Sequence, residues 1–166
     1  FIENIDDSPL SNAAIRKGEA RFLRAFNYFA MVKRYGGVPL ITKETSLDAS
    51  EEEIYPERST EQECYDFIID ELTDIADVLE ERPEAGRAGK GAALTLLSRV
   101  ALYAGSIQQF GNVENNGLNG IPKGTEKNYY QIAADAAKRV LTEWQHSLDQ
   151  GNAGRARAEL LRDLPL

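Results

Sequence analysis

The sequence has little of the residue chemistry on which metal, redox and disulfide functions depend. Among its 166 residues there is one cysteine, Cys64, and one histidine, His146. One cysteine cannot form an internal disulfide, and the two residues together are too few for a zinc site built on those ligands. Cys64 lies inside a predicted helix, so we interpret it as a small, partly buried apolar residue. The sequence therefore predicts no metal ion and no cofactor.

Long apolar runs and an excess of basic residues are also missing. No stretch approaches the roughly 18 apolar residues of a membrane span, and no signal segment opens the chain. Because the chain begins at Phe1 and not at Met, we expect a processed or truncated product. With 19 Lys and Arg against 27 Asp and Glu, the net charge is −8, which repels phosphate backbones and anionic lipids. Nucleic acid is therefore not expected as a partner, whereas a neutral ligand such as a sugar is compatible with this charge.

Four long segments do have the apolar spacing of three and four residues that is typical of amphipathic helices, and they predict an all-α fold. Their predicted limits are Ser11–Tyr35, Ser59 or Thr60 to Glu81 or Arg82, Lys90–Ser106 and Lys127–Trp144. Consecutive glycines end the first, and the second begins with the pattern of a capping box. The apolar stripes predicted to face the core are Ile15, Phe22, Ala25, Phe26, Phe29 and Val32, then Tyr65, Ile68, Leu72, Ile75, Ala76 and Leu79, then Ala93, Leu96, Leu97, Val100, Ala101 and Ala104, and finally Tyr130, Ala133, Ala137, Val140, Leu141 and Trp144.

The segments between these helices are predicted to be extended or irregular. Pro39 keeps the residue before it out of the helical region, so residues 38–42 should be extended and packed. The polar residues 43–58 indicate a solvated loop, and the Asn- and Gly-rich residues 107–126 indicate a loop longer than is usual between bundled helices. A short helix is predicted at Arg155–Asp163.

The helices should pack as antiparallel pairs with alanine in their contacts, because small residues let helix axes approach closely. That arrangement resembles tetratricopeptide-type hairpins, although no clean 34-residue repeat can be laid over the sequence. We therefore predict a single helical-repeat region over residues 1–166, in which residues 149–166 are atypical.

Motifs for catalysis are incomplete, so we predict that the chain is not an enzyme. The single histidine is followed by a serine, but no Gly-x-Ser-x-Gly elbow is present to hold a nucleophile. Asp70, Asp74 and Asp77 are interpreted as a solvated helix surface, since no apolar cleft is indicated that would raise the pKa of a glycosidase acid. Residues 86–91 are rich in glycine but lack the spacing and the hydroxyl of a phosphate-binding loop.

Three charged residues of the first helix, Glu19, Arg21 and Arg24, have two interpretations. They could contact a ligand, or they could form ion pairs with other helices and fix the helix register. We favour the second, because Arg21 and Arg24 are spaced three residues apart and share one helix face.

One group of side chains has the composition of a sugar-binding site. Aromatic rings can bind the C–H faces of sugars while amide side chains bond to hydroxyls, and Phe110 lies beside Gln108, Gln109 and Asn112. These four residues are the candidate ligand-binding site. The alternative, which the residues alone favour, is that Phe110 caps the core and the amides are merely soluble loop residues.

The order of several sequence blocks resembles a known family. Residues 18–29 read Gly-Glu-Ala-Arg-Phe-Leu-Arg-Ala-Phe-Asn-Tyr-Phe, and residues 34–41 read Arg-Tyr-Gly-Gly-Val-Pro-Leu-Ile. Further blocks follow at residues 58–60, 65–72, 86–94, 97–103 and 129–130. Together these blocks cover about residues 15–148 and closely resemble the SusD-like (RagB/SusD) family.

This resemblance implies a fold, a location and a function. Members of the family are α-helical lipoproteins with tetratricopeptide-like helix pairs, held on the outer surface of Bacteroidetes-type bacteria by a lipidated N-terminal Cys. They pair with a SusC-type TonB-dependent transporter and capture oligosaccharides or other nutrients without cleaving them. Full-length members are several times longer, so the chain is expected to be a piece from the N-terminal and middle part, without the anchor Cys. A helical-repeat scaffold that binds only protein is the alternative.

Overall fold

The fold is all-α, as predicted. The computed structural model describes residues 2, 5, 12–46, 48–125 and 127–143, and within these ranges it contains helices and one isolated antiparallel bridge between Glu114 and Asn119. The helices are α1 (Ala13–Tyr35), α2 (Glu51–Ile54), α3 (Glu61–Ala76), α4 (Lys90–Phe110) and α5 (Tyr129–Glu143), with a 3-10 turn at Asn115–Gly117. The predictions for Ser11, Trp144, His146 and residues 145–166 lie outside the described residues.

Both predicted boundaries around the α1–α3 connection are confirmed. Gly36 adopts a φ of 69°, a left-handed conformation that favours glycine, and its N–H donates to the carbonyl of Val32. At the start of α3, the Thr60 hydroxyl accepts from the backbone N–H of Glu63 while the Glu63 carboxylate accepts from the N–H of Thr60. This capping box satisfies donors that an uncapped helix leaves unpaired.

Other boundaries differ from the prediction, and α3 ends at Ala76 and not at Glu81 or Arg82. The α4 helix continues one turn past Ser106 to Phe110 and stops at Gly111, whose N–H donates to Ile107 O at 2.8 Å. The α2 helix, which was predicted as loop, begins with a second capping box between Ser50 and Glu53. Polarity misled the prediction for α2, and the Asn and Gly content of residues 107–126 misled it for the end of α4, because helix ends are decided by caps and glycines as well as by composition.

The core is built from successive helix contacts, α1 with α3, α3 with α4, and α4 with α5. The predicted stripes of α3 and α4 are confirmed, since all twelve of their residues are buried. Three residues of the outer helices that were predicted to be buried are exposed. In α5 the buried residues are Tyr129, Ala133 and Ala136, whereas Tyr130 and Leu141 are exposed. In α1, Phe26 is 52% exposed.

An ion-pair cluster joins α1 to α3. Arg21 and Arg24 both donate to the buried carboxylate of Glu71, each to a different oxygen, and Arg21 also contacts Asp74. Glu19 pairs with Arg87 in the α3–α4 connection. These contacts show the predicted ion pairing of the α1 charges with other parts of the fold; that the pairs fix the helix register stays a prediction.

The single cysteine is more buried than predicted. Cys64 has no exposed surface, and its Sγ lies 3.3 Å from the backbone N of Val38 and 3.4 Å from the Val38 carbonyl. Val38 is thereby held against α3, in the extended and packed segment predicted from Pro39. Among the described helices, none combines the length and apolar character needed to cross a membrane.

Candidate functional site

Loops from both helix pairs meet at one end of the molecule. The N–H of Gly37, just after α1, donates to the carbonyl of Leu118 at 2.7 Å, and the N–H of Gly120 donates to the Glu61 carboxylate at 2.5 Å. The α4–α5 loop is therefore bonded directly to the end of α1 and the start of α3. Because Phe110 ends α4 at the start of this loop, the candidate site lies at this end.

The α4–α5 loop has a defined fold of its own. Glu114 and Asn119 exchange backbone hydrogen bonds, with N to O distances of 2.8 and 3.3 Å. Between them, Asn115 and Asn116 adopt positive φ angles of 51° and 56°, a conformation that asparagine tolerates better than other non-glycine residues. The run of Asn and Gly that marked this segment as irregular is therefore the composition that a tight turn of this kind needs.

The candidate residues have unequal environments. Gln108 is half-buried, and its side-chain amide donates to the hydroxyl of Thr125 and lies 3.4 Å from the Pro122 carbonyl. Gln109 and Asn112 are exposed. Gln108 therefore has a partner within the protein, whereas the other two amides face solvent.

Phe110 is 75% exposed. Phe110 therefore does not cap the core that the described residues form. An aromatic ring that extends into solvent beside exposed amides has the chemical types found in small-molecule sites, an apolar surface with a few polar groups that fix orientation.

Two buried polar residues, Glu61 and Tyr129, lie at this end of the molecule. Burial raises the pKa of Glu61, while the hydrogen bond from Gly120 opposes that shift. Tyr129 is buried at the start of α5 and donates from its hydroxyl to Asp66 at 2.9 Å. Burial, together with the hydrogen bond to Asp66, raises the pKa of Tyr129. Neither group is exposed enough to contact a ligand directly.

The carboxylates that were considered for catalysis lie on the surface. Asp70, Asp74 and Asp77 have side chains that are 64–67% exposed, and each forms ion pairs, with Lys127, Arg21 and the pair Lys90 and Arg139 respectively. Within the described ranges, no three His, Cys, Asp or Glu side chains are arranged to hold a metal ion. The interpretation of these aspartates as helix surface is consistent with their exposure.

An apolar groove was missed from the sequence. It has a volume of about 410 Å³ and is lined mainly by α1 and α4 residues, including Phe22, Phe26, Leu96 and Arg99. Phe22 and Phe26 lie one turn apart at the edge of the predicted α1 stripe, so apolar spacing alone could not separate them from the buried residues. Both were assigned to the core together with Ala25, Phe29 and Val32.

Paired helices with alanine contacts and loops gathered at one end define this chain as a helical-repeat protein. Residues 2–102 match the SusD-like family described as "Starch-binding associating with outer membrane". The chain belongs to this family, as the order of its sequence blocks predicted.

Relatives of known sequence and structure agree with this assignment. A SusD-like protein of Bacteroides ovatus is 33% identical over 103 residues, and one of Formosa agariphila is 40% identical over 102 residues, in each case 61% of this chain. A SusD-like protein of Bacteroides fragilis has a similar structure, with a TM-score of 0.71 and 32% identity over 93% of this chain. A protein solved with a xylogluco-oligosaccharide gives a TM-score of 0.66 with 27% identity over 89% of this chain.

The chain spans only part of these proteins. It covers 18% and 20% of the two relatives compared by sequence, and 26% and 27% of the two solved chains.

Proposed function

We propose that the protein of which this chain is part binds oligosaccharides or related nutrients at the cell surface and passes them to a SusC-type TonB-dependent transporter. It would do so without cleaving them, as a lipid-anchored protein of the outer membrane. Membership of a family described as starch-binding and outer-membrane-associated supports this function. So does the similarity to a protein solved with a xylogluco-oligosaccharide.

Within this chain, the proposed contact site is Phe110 with Gln109 and Asn112. Gln108 lies beside them, and its amide is bonded to Thr125. The observation that carries this assignment is the 75% exposure of Phe110 at the end of α4. Exposing a large aromatic side chain forgoes favourable burial of its apolar surface. A sugar ring stacked on Phe110 would recover that burial, and the two exposed amides would supply hydrogen bonds to its hydroxyls.

Isothermal titration of the full-length protein with a panel of glycans tests the function and the site together. We expect micromolar-to-millimolar binding with no product formed, and we expect Phe110→Ala to weaken binding at least fivefold without lowering the melting temperature. Tyr55→Ala is the matched control, because Tyr55 is 74% exposed but lies in the α1–α3 connection. If Phe110→Ala binds glycan as tightly as Tyr55→Ala and the wild type do, Phe110 is not a contact. Turnover of a glycan would reject the non-catalytic function.

The apolar groove favours a second candidate function, a helical-repeat scaffold that binds protein and no glycan. Phe26 is half exposed in this groove, and exposed apolar surface often marks a protein interface. This function predicts co-purification with a membrane barrel and no heat of binding with any glycan. It also predicts that Phe26→Ser, and not Phe110→Ala, reduces co-purification.

A further inference from the structure

Glu61 is unusual among the charged residues of this fold. It is one of two acidic residues that are buried in the described part of the chain, at 8% exposure, and the other is Glu71 at 7%. Glu71 is neutralised by two arginines. Glu61 forms no ion pair with any described residue, and its hydrogen-bond partner is the backbone N–H of Gly120 at 2.5 Å. Burying a carboxylate without a cation costs free energy, and the hydrogen bond from Gly120 offsets part of that cost.

The bond reaches a residue that fixes the position of Asn112. Gly120 has a positive φ of 87°, and a β-carbon on it would lie 2.1 Å from the carbonyl oxygen of Asn112. The backbones of Gly120 and Asn112 are thus in direct contact, and a side chain at residue 120 would separate them. Asn112 follows Phe110 by two residues, so the position of Gly120 controls where the amide lies relative to the aromatic ring.

The loop is attached to the helices by packing and by two hydrogen bonds near this point. Ile121, the residue after Gly120, is buried in the core. The internal bonds of the loop, between Glu114 and Asn119, hold its own shape but do not orient it on the helices. The bond from Gly37 to Leu118 attaches the same turn to the end of α1, and Glu61 is the attachment to α3. Loss of the Glu61 bond would remove the hydrogen bond between the turn and α3 and leave Gly120 held by its neighbour Ile121 and by the bond from Gly37.

We propose that Glu61 is a positioning residue for the glycan site, which holds Gly120 and through it sets Asn112 beside Phe110. This inference rests on the proposed function, since it concerns the same site. It assigns Glu61 no contact with the ligand. The carboxylate at the first turn of α3 acts through the loop backbone, 59 residues further along the chain.

Three variants of the full-length protein test this role. Glu61→Ala removes the acceptor, whereas Glu61→Gln keeps an oxygen that accepts from the N–H of Gly120. Glu63→Ala is the matched control, because Glu63 lies in the same helix turn and caps α3 but is exposed. Each variant is measured by hydrogen exchange of peptides covering residues 111–121, by melting temperature and by titration with the glycan that binds the wild type most tightly.

We expect Glu61→Ala to speed exchange of residues 111–121 at least fivefold and to weaken glycan binding at least tenfold. Glu61→Gln should restore most of both. Glu63→Ala should lower the melting temperature and leave exchange of the loop and affinity within twofold of wild type. Unchanged loop exchange in Glu61→Ala would overturn the anchor, and faster exchange with unchanged affinity would overturn the positioning role. A wild type that binds no glycan would reject the proposed function and with it the role in binding, whereas the exchange data would still decide whether Glu61 anchors the loop.

Discussion

The carboxylate of Glu71 on α3 accepts two hydrogen bonds from the guanidinium of Arg24 on α1, at 2.6 and 2.9 Å. Both bonds end on the same oxygen, while Arg21 binds the other oxygen at 2.7 and 3.0 Å. The Glu71 side chain is 8% exposed and the Arg24 side chain 18%. Such charge-assisted bonds are short and directional, so they set the distance and the register between the first two long helices.

Removing the shared carboxylate should therefore be more damaging than removing one arginine. We expect Glu71→Ala to destabilise the fold by about 3–5 kcal/mol, the usual cost of leaving partly buried charges without their partner. Arg24→Met should cost less, because Arg21 still neutralises Glu71 and the methionine keeps apolar packing. Thermal or urea unfolding of the full-length protein measures both.

The matched control for this cluster is Asp74→Ala. Asp74 also pairs with Arg21, but its side chain is 64% exposed, so its removal should cost no more than about 1 kcal/mol. Because the cluster lies on the α1–α3 contact and away from Phe110, glycan affinity should be retained in all three variants. Lost affinity at an unchanged melting temperature would instead place Arg24 in a ligand site.

Local signals accounted for most of the helix positions. The capping box at Thr60 and the glycine at residue 36 act within four residues, so their effect can be predicted without knowing the packing. The buried faces of α3 and α4 could also be predicted, because both helices pack on two neighbours and their apolar stripes are wide. The α5 helix packs mainly on α4, so its sequence alone did not determine whether Tyr129 or Tyr130 turns inward.

The candidate site could be predicted by composition but not by geometry. Phe110, Gln109 and Asn112 were selected because sugars bind to rings and amides, and their exposure is compatible with that selection. The contacts of Gln108 and Glu61 span 17 and 59 residues of sequence. Contacts at that separation depend on how the loop packs on the helices, for which no sequence period gives a signal.

Replacing Gly37 with alanine should destabilise the fold more than the same replacement at Gly86, which has open space around it. A β-carbon at Gly37 would lie 1.9 Å from the carbonyl oxygen of Ser59, so alanine must force the α1–α3 connection apart. Overpacking of this kind costs about 1–3 kcal/mol. Gly86→Ala is the comparison, because nothing lies within 4 Å of its β-carbon although its φ is 87°. The backbone strain there costs about 1 kcal/mol.

Unfolding of the two glycine variants measures the difference. We expect the melting temperature to fall further for Gly37→Ala, and glycan affinity to fall as well, since the N–H of Gly37 holds the α4–α5 loop through Leu118. Equal melting temperatures for the two variants would show that the connection has room to relax.

The thiol of Cys64 should be unreactive in the folded protein. It has no exposed surface, and burial raises its pKa, while a hydrogen bond from Val38 lowers it and the nearby charges of Glu63 and Glu61 raise it further. The thiolate is the reactive form, so both exclusion of the reagent and a scarcity of thiolate slow the reaction. Labelling with a disulfide reagent should be at least about a hundredfold slower in buffer than in urea.

An exposed thiol supplies the control for that experiment. Ser106 lies on the exposed side of α4, so a Ser106→Cys variant should label at one site rapidly without denaturant. If Cys64 labels as fast as residue 106 in the folded protein, α3 must open locally around Val38, and the close packing of that segment would be disproved.

Asp77, Lys90 and Arg139 form a charge network at the end of the helices opposite the α4–α5 loop. This network should make the free energy of unfolding depend on pH and on salt concentration. Asp77 accepts hydrogen bonds from Lys90 and Arg139, and these two bonds lower its pKa. A lowered pKa in the folded state means that the stabilisation is present above the unfolded pKa and is lost as the pH falls through the folded value. The Asp77 side chain is 66% exposed, so its ion pairs contribute no more than about 1 kcal/mol.

Asp77→Asn should therefore lower the free energy of unfolding slightly at about pH 7. The difference from wild type should vanish at about pH 2 and shrink in about 1 M NaCl. Urea unfolding at the two pH values and the two salt concentrations measures it, with Asp70→Asn as the control for a carboxylate paired with Lys127 on another part of α3. A difference that is the same at both pH values would show that Asp77 acts through its shape and not through its charge.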